Sequence, residues 1–189
     1  MEQTITFESE SITARKNYEK AVAAIPGSLV VREDKLLLKF MKSKLNPLNK
    51  LELLYDFMDE ISELVAPFTA CKQGCNHCCN YDVSVSGLEV SYIEKTQKVK
   101  SVPGVIKQAG VTPCPLLKNG KCTIYSSRPF VCRKRIAMTN TAKWCETDSS
   151  YEHKFSKIAF SEIDKSYDFI LLESEHHKQQ DIREWFAAK

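Results

Sequence analysis

Four cysteines in nine residues, Cys71-Lys72-Gln73-Gly74-Cys75-Asn76-His77-Cys78-Cys79, constrain this chain more than any other feature. On a helix these positions would fall at about 0°, 40°, 340° and 80°, all within roughly a 100° arc. In a loop the same spacing would wrap the sulfurs around one point. Either geometry crowds three or four thiols together, and like-charged thiolates crowd comfortably only around a cation. Zinc suits such a set, with Zn–S bonds of ~2.3 Å and about four ligands. Iron–sulfur clusters use cysteines at similarly short spacings.

A second set follows: Cys114, Cys122 and Cys132, with Cys145 beyond. Leu116 to Tyr125 reads as a β-hairpin, because Asn119-Gly120 suits a two-residue type I′ turn. A regular hairpin there pairs Leu117 with Cys122 and Cys114 with Tyr125. Side chains alternate faces along a strand, so Cys114 and Cys122 would point to opposite sides. Either the hairpin is irregular near Pro115, or the two thiols serve different centres. The expected metal ligands are Cys71, Cys75, Cys78, Cys79, Cys114, Cys122 and Cys132. Cys145, outside the compact spacing, and His77, inside it, stay open. His176-His177 sit on a polar stretch and read as solvated.

Arg128, Arg133, Lys134 and Arg135 surround Cys132. Cations beside thiolates lower their pKa and offset their charge. Arg128, pinned before Pro129, and Tyr125 are the residues expected to support the centre from behind the ligands. Lys134 and Arg135 read as basic surface.

The compartment decides what eight cysteines do. The start, Met1 to Glu8, is acidic and lacks the apolar core of a secretory signal. No window approaches the ~18 apolar residues of a membrane span. The expectation is a cytoplasmic protein with no membrane partner. In a reducing compartment clustered cysteines are metal ligands or redox groups more often than disulfides. A chain of 189 residues can also bury a core without staples. At 43% hydrophobic and 27% charged it is not a disordered chain. A net charge of +3 argues for no nucleic-acid partner, and Arg133-Lys134-Arg135 is the only local support for one.

The rest of the chain reads as helix. Tyr18, Ala21, Val22 and Ile25 space a helix over 14–25 that ends at Pro26-Gly27. Leu37, Phe40, Met41 and Leu45 form a second stripe. Asn46-Pro47 is a start signal for a third helix, whose apolar face runs from Leu51 through Leu54, Phe57, Met58 and Ile61 to Val65. Val83 and Val85 alternate with polar residues in a short strand-like stretch. Ser86-Gly87-Leu88-Glu89 is a capping box that opens a helix through Val90, Tyr92 and Ile93. Ser126-Ser127 can cap a short helix carrying Phe130, Val131 and Cys132. The tail is helical through Phe155, Ile158, Ala159, Ile163, Tyr167 and Ile170, and again at Ile182, Trp185 and Phe186. The expected fold is mainly α: a single domain over 1–189, with a helical part (1–70), a cysteine-cluster core (71–145) carrying one small β-hairpin, and C-terminal helices (146–189).

Together these residues resemble the CxxCxxCC family of zinc- or iron-chelating cysteine-cluster domains. The resemblance rests on Cys71, Cys75, Cys78-Cys79 and Ser86-Gly87-Leu88-Glu89. It continues through Cys114-Pro115-Leu116-Leu117, Gly120-Lys121-Cys122-Thr123-Ile124-Tyr125 and Arg128-Pro129-Phe130-Val131-Cys132-Arg133. It spans Cys71 to Arg133. The chain departs from the family's pattern in having three residues between its first two cysteines. The family resembles the cysteine-rich part of flagellin lysine N-methylases, which implies an alternative: methyl transfer at an iron–sulfur centre.

Other readings have less support. Cys71-x3-Cys75-x2-Cys78 matches the spacing of radical SAM enzymes, but it follows a helix, and the 110 residues after Cys79 are too few for their barrel. There is no GxGxxG, no P-loop and no Ser–His–Asp order. The expectation is a protein that binds a metal ion, zinc or an iron–sulfur cluster, through its cysteines.

Overall fold

The computed structural model describes residues 5–104, 112–146 and 154–186. Helix α1 (Phe7–Ala24) begins two turns earlier than its apolar stripe predicts. Thr6 caps it, its hydroxyl accepting from the Ser9 N–H at 3.3 Å, and Glu8 and Glu10 suit the positive end of the dipole. Helices α2 (Gly27–Asp34) and α3 (Leu36–Lys42) follow. Helix α4 (Pro47–Val65) starts where Asn46-Pro47 predicts, with Asn46 Oδ1 accepting from the Asn49 N–H at 2.9 Å. Its buried residues include the whole expected stripe.

The stripe in α3 is corrected. Leu36 and Phe40 turn inward, while Met41 and Leu45 are exposed. The inward pair is fixed by α7 (Ser161–Leu172), which packs along α3. The start of α7 also differs from expectation. Residues 154–160 are not helical, although Phe155 and Ile158 pack against the core. No side chain at Phe160 caps the helix. The cap comes instead from α2: the Glu33 carboxylate accepts from the N–H groups of Glu162 and Ile163 at 2.9 and 3.3 Å.

Helix α5 (Gly87–Gln97) opens on the expected capping box. The Glu89 N–H donates to Ser86 Oγ at 3.2 Å, and Glu89 Oε2 accepts from the Ser86 N–H at 2.8 Å. Strand β1 (Ser84–Ser86) enters this helix and pairs antiparallel with β4 (Gln179–Asp181), Val85 opposite Gln180. A strand in the tail was not expected. It leads into a one-turn helix α8 (Ile182–Trp185), which Asp181 caps.

The hairpin forms as read. β2 (Leu117–Lys118) and β3 (Lys121–Cys122) pair Leu117 with Cys122 across Asn119 and Gly120, both at positive φ as a type I′ turn requires. Helix α6 (Phe130–Lys134) follows a 3-10 turn over Tyr125–Ser127 and starts after Pro129, without the expected serine cap.

Two apolar cores result. The larger lies among α1, α3, α4 and α7, with Leu51, Leu54, Tyr55, Ile163 and Ile170 fully enclosed. The smaller gathers Val83, Val85, Val90, Ile93, Ile124 and Ile182 with Cys79 and Cys114. Helix α5 is the wall between them: Leu88 and Tyr92 face the larger core, Val90 and Ile93 the smaller. Glu89, itself 1% exposed, ties the wall to its neighbours, accepting from Tyr55 Oη and Tyr167 Oη at 2.7 Å and from the Phe130 N–H at 2.8 Å. The architecture is mainly α, as expected.

Candidate metal centre

Cys79 and Cys114 belong to the smaller core, and Cys78, Cys122 and Cys132 pack against it. The Cys71–Cys79 segment is neither a single helix nor a free loop. Cys75 closes a turn onto the Lys72 carbonyl at 3.0 Å, with Gly74 at a φ of 98°. A 3-10 helix over His77–Asn80 follows, its Cys79 N–H donating to the Asn76 carbonyl at 2.9 Å. The tighter 3-10 winding replaces the arc an α-helix would produce.

Several of the other cysteines are tied in by hydrogen bonds. The Cys114 N–H donates to the Cys79 carbonyl at 2.8 Å. The chain then turns, with the Leu117 N–H on the Cys114 carbonyl and the Thr123 N–H on the Leu116 carbonyl, both 2.9 Å. The hairpin is therefore irregular at Pro115, and Cys114 and Cys122 reach the same cluster. Cys71 Sγ accepts from the Ala137 N–H at 3.2 Å, joining the first cysteine to the chain just after α6. Cys145 ends a 3-10 helix over Ala142–Cys145, and its carbonyl accepts from Tyr81 Oη at 2.9 Å.

The thiols perturb one another. The thiols of Cys78 and Cys122 both act on the Cys79 thiol. Their interaction lowers Cys78 to about 6 and Cys122 to about 7, and holds Cys79 protonated far above the ordinary thiol range. Burial raises Cys71, raises Cys114 to about 11 and Cys145 to about 12, and raises Cys132 further. Neighbouring thiolates add to these shifts in a pattern. Cys145 feels Cys71, Cys75 and Cys78, whereas Cys132 feels Cys78, Cys114 and Cys122. Cys78 is common to both groups.

Arginines hold the cluster. Arg128 stacks 4.3 Å over Tyr125, and its charge favours the thiolates of Cys71, Cys78 and Cys122. Its Nε is buried without a hydrogen-bond partner. Arg135, read from sequence as surface, stacks 4.6 Å over Tyr81, and its charge acts on Cys78, Cys132 and Cys145.

Two buried arginines position the segments around the cluster, one of them, Arg133, already read from the sequence as a cation beside Cys132. Buried Arg133 pairs with Asp59 and donates to the Ser126 and Arg128 carbonyls at 2.6 and 2.9 Å. Buried Arg183 donates to the Thr112 and Tyr81 carbonyls at 2.5 and 3.1 Å and pairs with Asp181 at 3.0 Å. Nothing in the sequence signals Arg183, which acts across about a hundred positions. His77 is half-buried, its carbonyl taken by Asn80 Nδ2. His176 and His177 are exposed, in a turn rather than a helix.

Among the described residues, no three Cys, His, Asp or Glu side chains are already drawn into a ligating set. The donor chemistry nonetheless fits a soft metal. All eight cysteines are free thiols, seven of them in the expected ligand set, and arginine charges favour the thiolates of Cys78 and Cys122. The unpartnered Arg128 Nε is a buried donor on a guanidinium whose charge acts on Cys71, Cys78 and Cys122. Thiolate sets of this kind suit zinc and iron–sulfur clusters over calcium or magnesium.

No curated protein and no solved structure matches the chain. A family model does, over residues 70–159, a longer segment than Cys71–Arg133 and one that takes in Cys145. Over that segment the chain is similar to the CxxCxxCC family, described as a "Putative zinc- or iron-chelating domain".

Proposed function

We propose that this chain is a metal-binding protein in which Cys71, Cys75, Cys78, Cys79, Cys114, Cys122 and Cys132, joined by Cys145, hold zinc or an iron–sulfur centre. The observation that carries the reading is that the two cysteine sets meet: the Cys114 N–H donates to the Cys79 carbonyl at 2.8 Å, and the thiols of Cys78, Cys79 and Cys122 act on one another. Protons held by such sulfurs are the ones a metal ion displaces, since only thiolates ligate. Eight thiols exceed one four-ligand site, and Cys78 lies between the two groups, which suits a pair of sites or one bridged site. With a metal bound, the unpartnered Arg128 Nε–H would be available to donate a hydrogen bond to a ligating sulfur, and Tyr125 holds the guanidinium in place. When bound, the metal supplies charge neutralisation and cross-linking, and an iron–sulfur centre would add electron transfer.

Elemental analysis and a visible spectrum on anaerobically purified chain test this reading. Zinc without colour supports a chelating or structural site. Iron with sulfide and a broad visible band supports a cluster. Metal-free protein that takes up neither zinc nor iron overturns the proposal.

A further inference from the structure

A second surface, away from the thiols, shows a different chemistry. The segment Lys35–Leu45 carries Lys35, Lys39, Lys42 and Lys44 and no carboxylate, although the whole chain has a net charge of only +3. All four lysines are exposed, and among the described residues none forms an ion pair. Counting about 100° per residue, Leu36 and Phe40 mark the inward side of α3 at about 0° and 40°. Met41, Leu38, Lys42 and Lys35 then fill the opposite side between about 140° and 260°. On this outward side Leu38 is 55% and Met41 56% exposed, and Leu45, just past the helix, is 43% exposed. The nearest acidic neighbour but one, Glu33, is turned away to cap α7.

We propose that this outward face of α3 docks the chain on an anionic lipid surface. Lysines supply attraction of about a factor of five in affinity each near such a surface. Leu38, Met41 and Leu45 supply apolar tips that enter the headgroup boundary. The face favours lipid over an acidic peptide because the adjoining groove, about 380 Å³ between α2, α3 and α4, carries both signs: Lys35 and Lys39 face Asp56 and Glu60. It favours lipid over a nucleic acid because no exposed aromatic ring stands among the lysines to stack on bases. The expectation of no membrane partner rested on the absence of a span. No described helix is long and apolar enough to cross a membrane, and a peripheral contact needs none.

Vesicle flotation of the full chain tests this. One set of vesicles is pure phosphatidylcholine, and the other is an equal mixture with phosphatidylserine. Binding is expected to the mixed vesicles only and to fall steeply as salt is raised. Lys42→Glu with Lys44→Glu should weaken it by at least about twenty-fold, and Leu38→Ser with Met41→Ser by about tenfold. All four positions are exposed, so a melting temperature matching the parent chain shows the variants are folded. Equal binding to both vesicle types, or binding unmoved in folded lysine variants, overturns the proposal. So does absence of vesicle binding, whether the lysines instead retain an RNA homopolymer or drive self-association in sedimentation.

Discussion

Cys79 shows what one thiol does in a cluster: it keeps its own proton and lets its neighbours lose theirs. In metal-free, reduced chain at neutral pH, iodoacetamide should therefore modify Cys78 and Cys122 first. Cys114 and Cys145, raised to about 11 and about 12, should lag. Peptide mapping by mass spectrometry reads the order; Cys114 or Cys145 reacting as fast as Cys78 would contradict it. The stability consequences follow in sign. Cys78, lowered to about 6, stabilises the metal-free fold above the unfolded thiol value near ~8.5, and that contribution is lost as pH falls through about 6. Cys114, raised to about 11, contributes below the unfolded value and loses it as pH rises toward about 11. Cys78→Ser removes the thiol common to both groups, so metal content should drop and the melting temperature with it. Full metal content and an unchanged melting curve would remove Cys78 from the ligand set. Arg128→Met, which keeps the bulk and removes the charge and donor, should weaken metal retention by about 10–100-fold in a chelator competition. Retention equal to the parent would make the Arg128–Tyr125 stack merely structural.

Among the elements, α5 is the one on which the centre depends. It divides the two cores, and Glu89 at its N-terminus serves α4, α6 and α7 as well as its own cap. The capping box is plain in Ser86-Gly87-Leu88-Glu89, because a cap is a local device spelled within four residues. The second role of Glu89 is not, because Tyr55, Tyr167 and Phe130 come from distant segments. Glu89→Ala would strand several buried donors at once, and denaturant unfolding should show a loss of about 3–5 kcal/mol. A loss below about 1 kcal/mol, the size of an isolated helix cap, would mean the tyrosines find other partners. The α3 stripe teaches the converse. Leu36, Leu37, Leu38, Phe40, Met41 and Leu45 allow more than one apolar face, and packing by α7 selects Leu36 and Phe40.

At the scale of the whole molecule, most helix lies in the larger core and the thiols border the smaller one. Removal of metal by a strong chelator should therefore loosen the Cys71–Cys145 region and leave most helical signal in place. Limited proteolysis after chelation should cut within 71–146, while far-ultraviolet circular dichroism changes little. Collapse of the helical signal together with the metal would mean that the two cores fold as one metal-dependent unit.

The sequence by itself determined the features whose physics is local. The Asn46 cap, the Ser86–Glu89 box, the Asn119-Gly120 turn and the density of thiols all act over a few residues, and each is found where its spelling predicts. Tertiary structure alone decided the rest. The pairing of β1 with β4, the cap that Glu33 lends to α7, the arginine clamps from Arg133 and Arg183, and the arrival of Cys145 beside Cys71 and Cys78 join residues far apart in the chain. Such contacts are set by which surfaces meet when the two cores close. No window of sequence spells that, because it depends on the shape and charge of both partners at once.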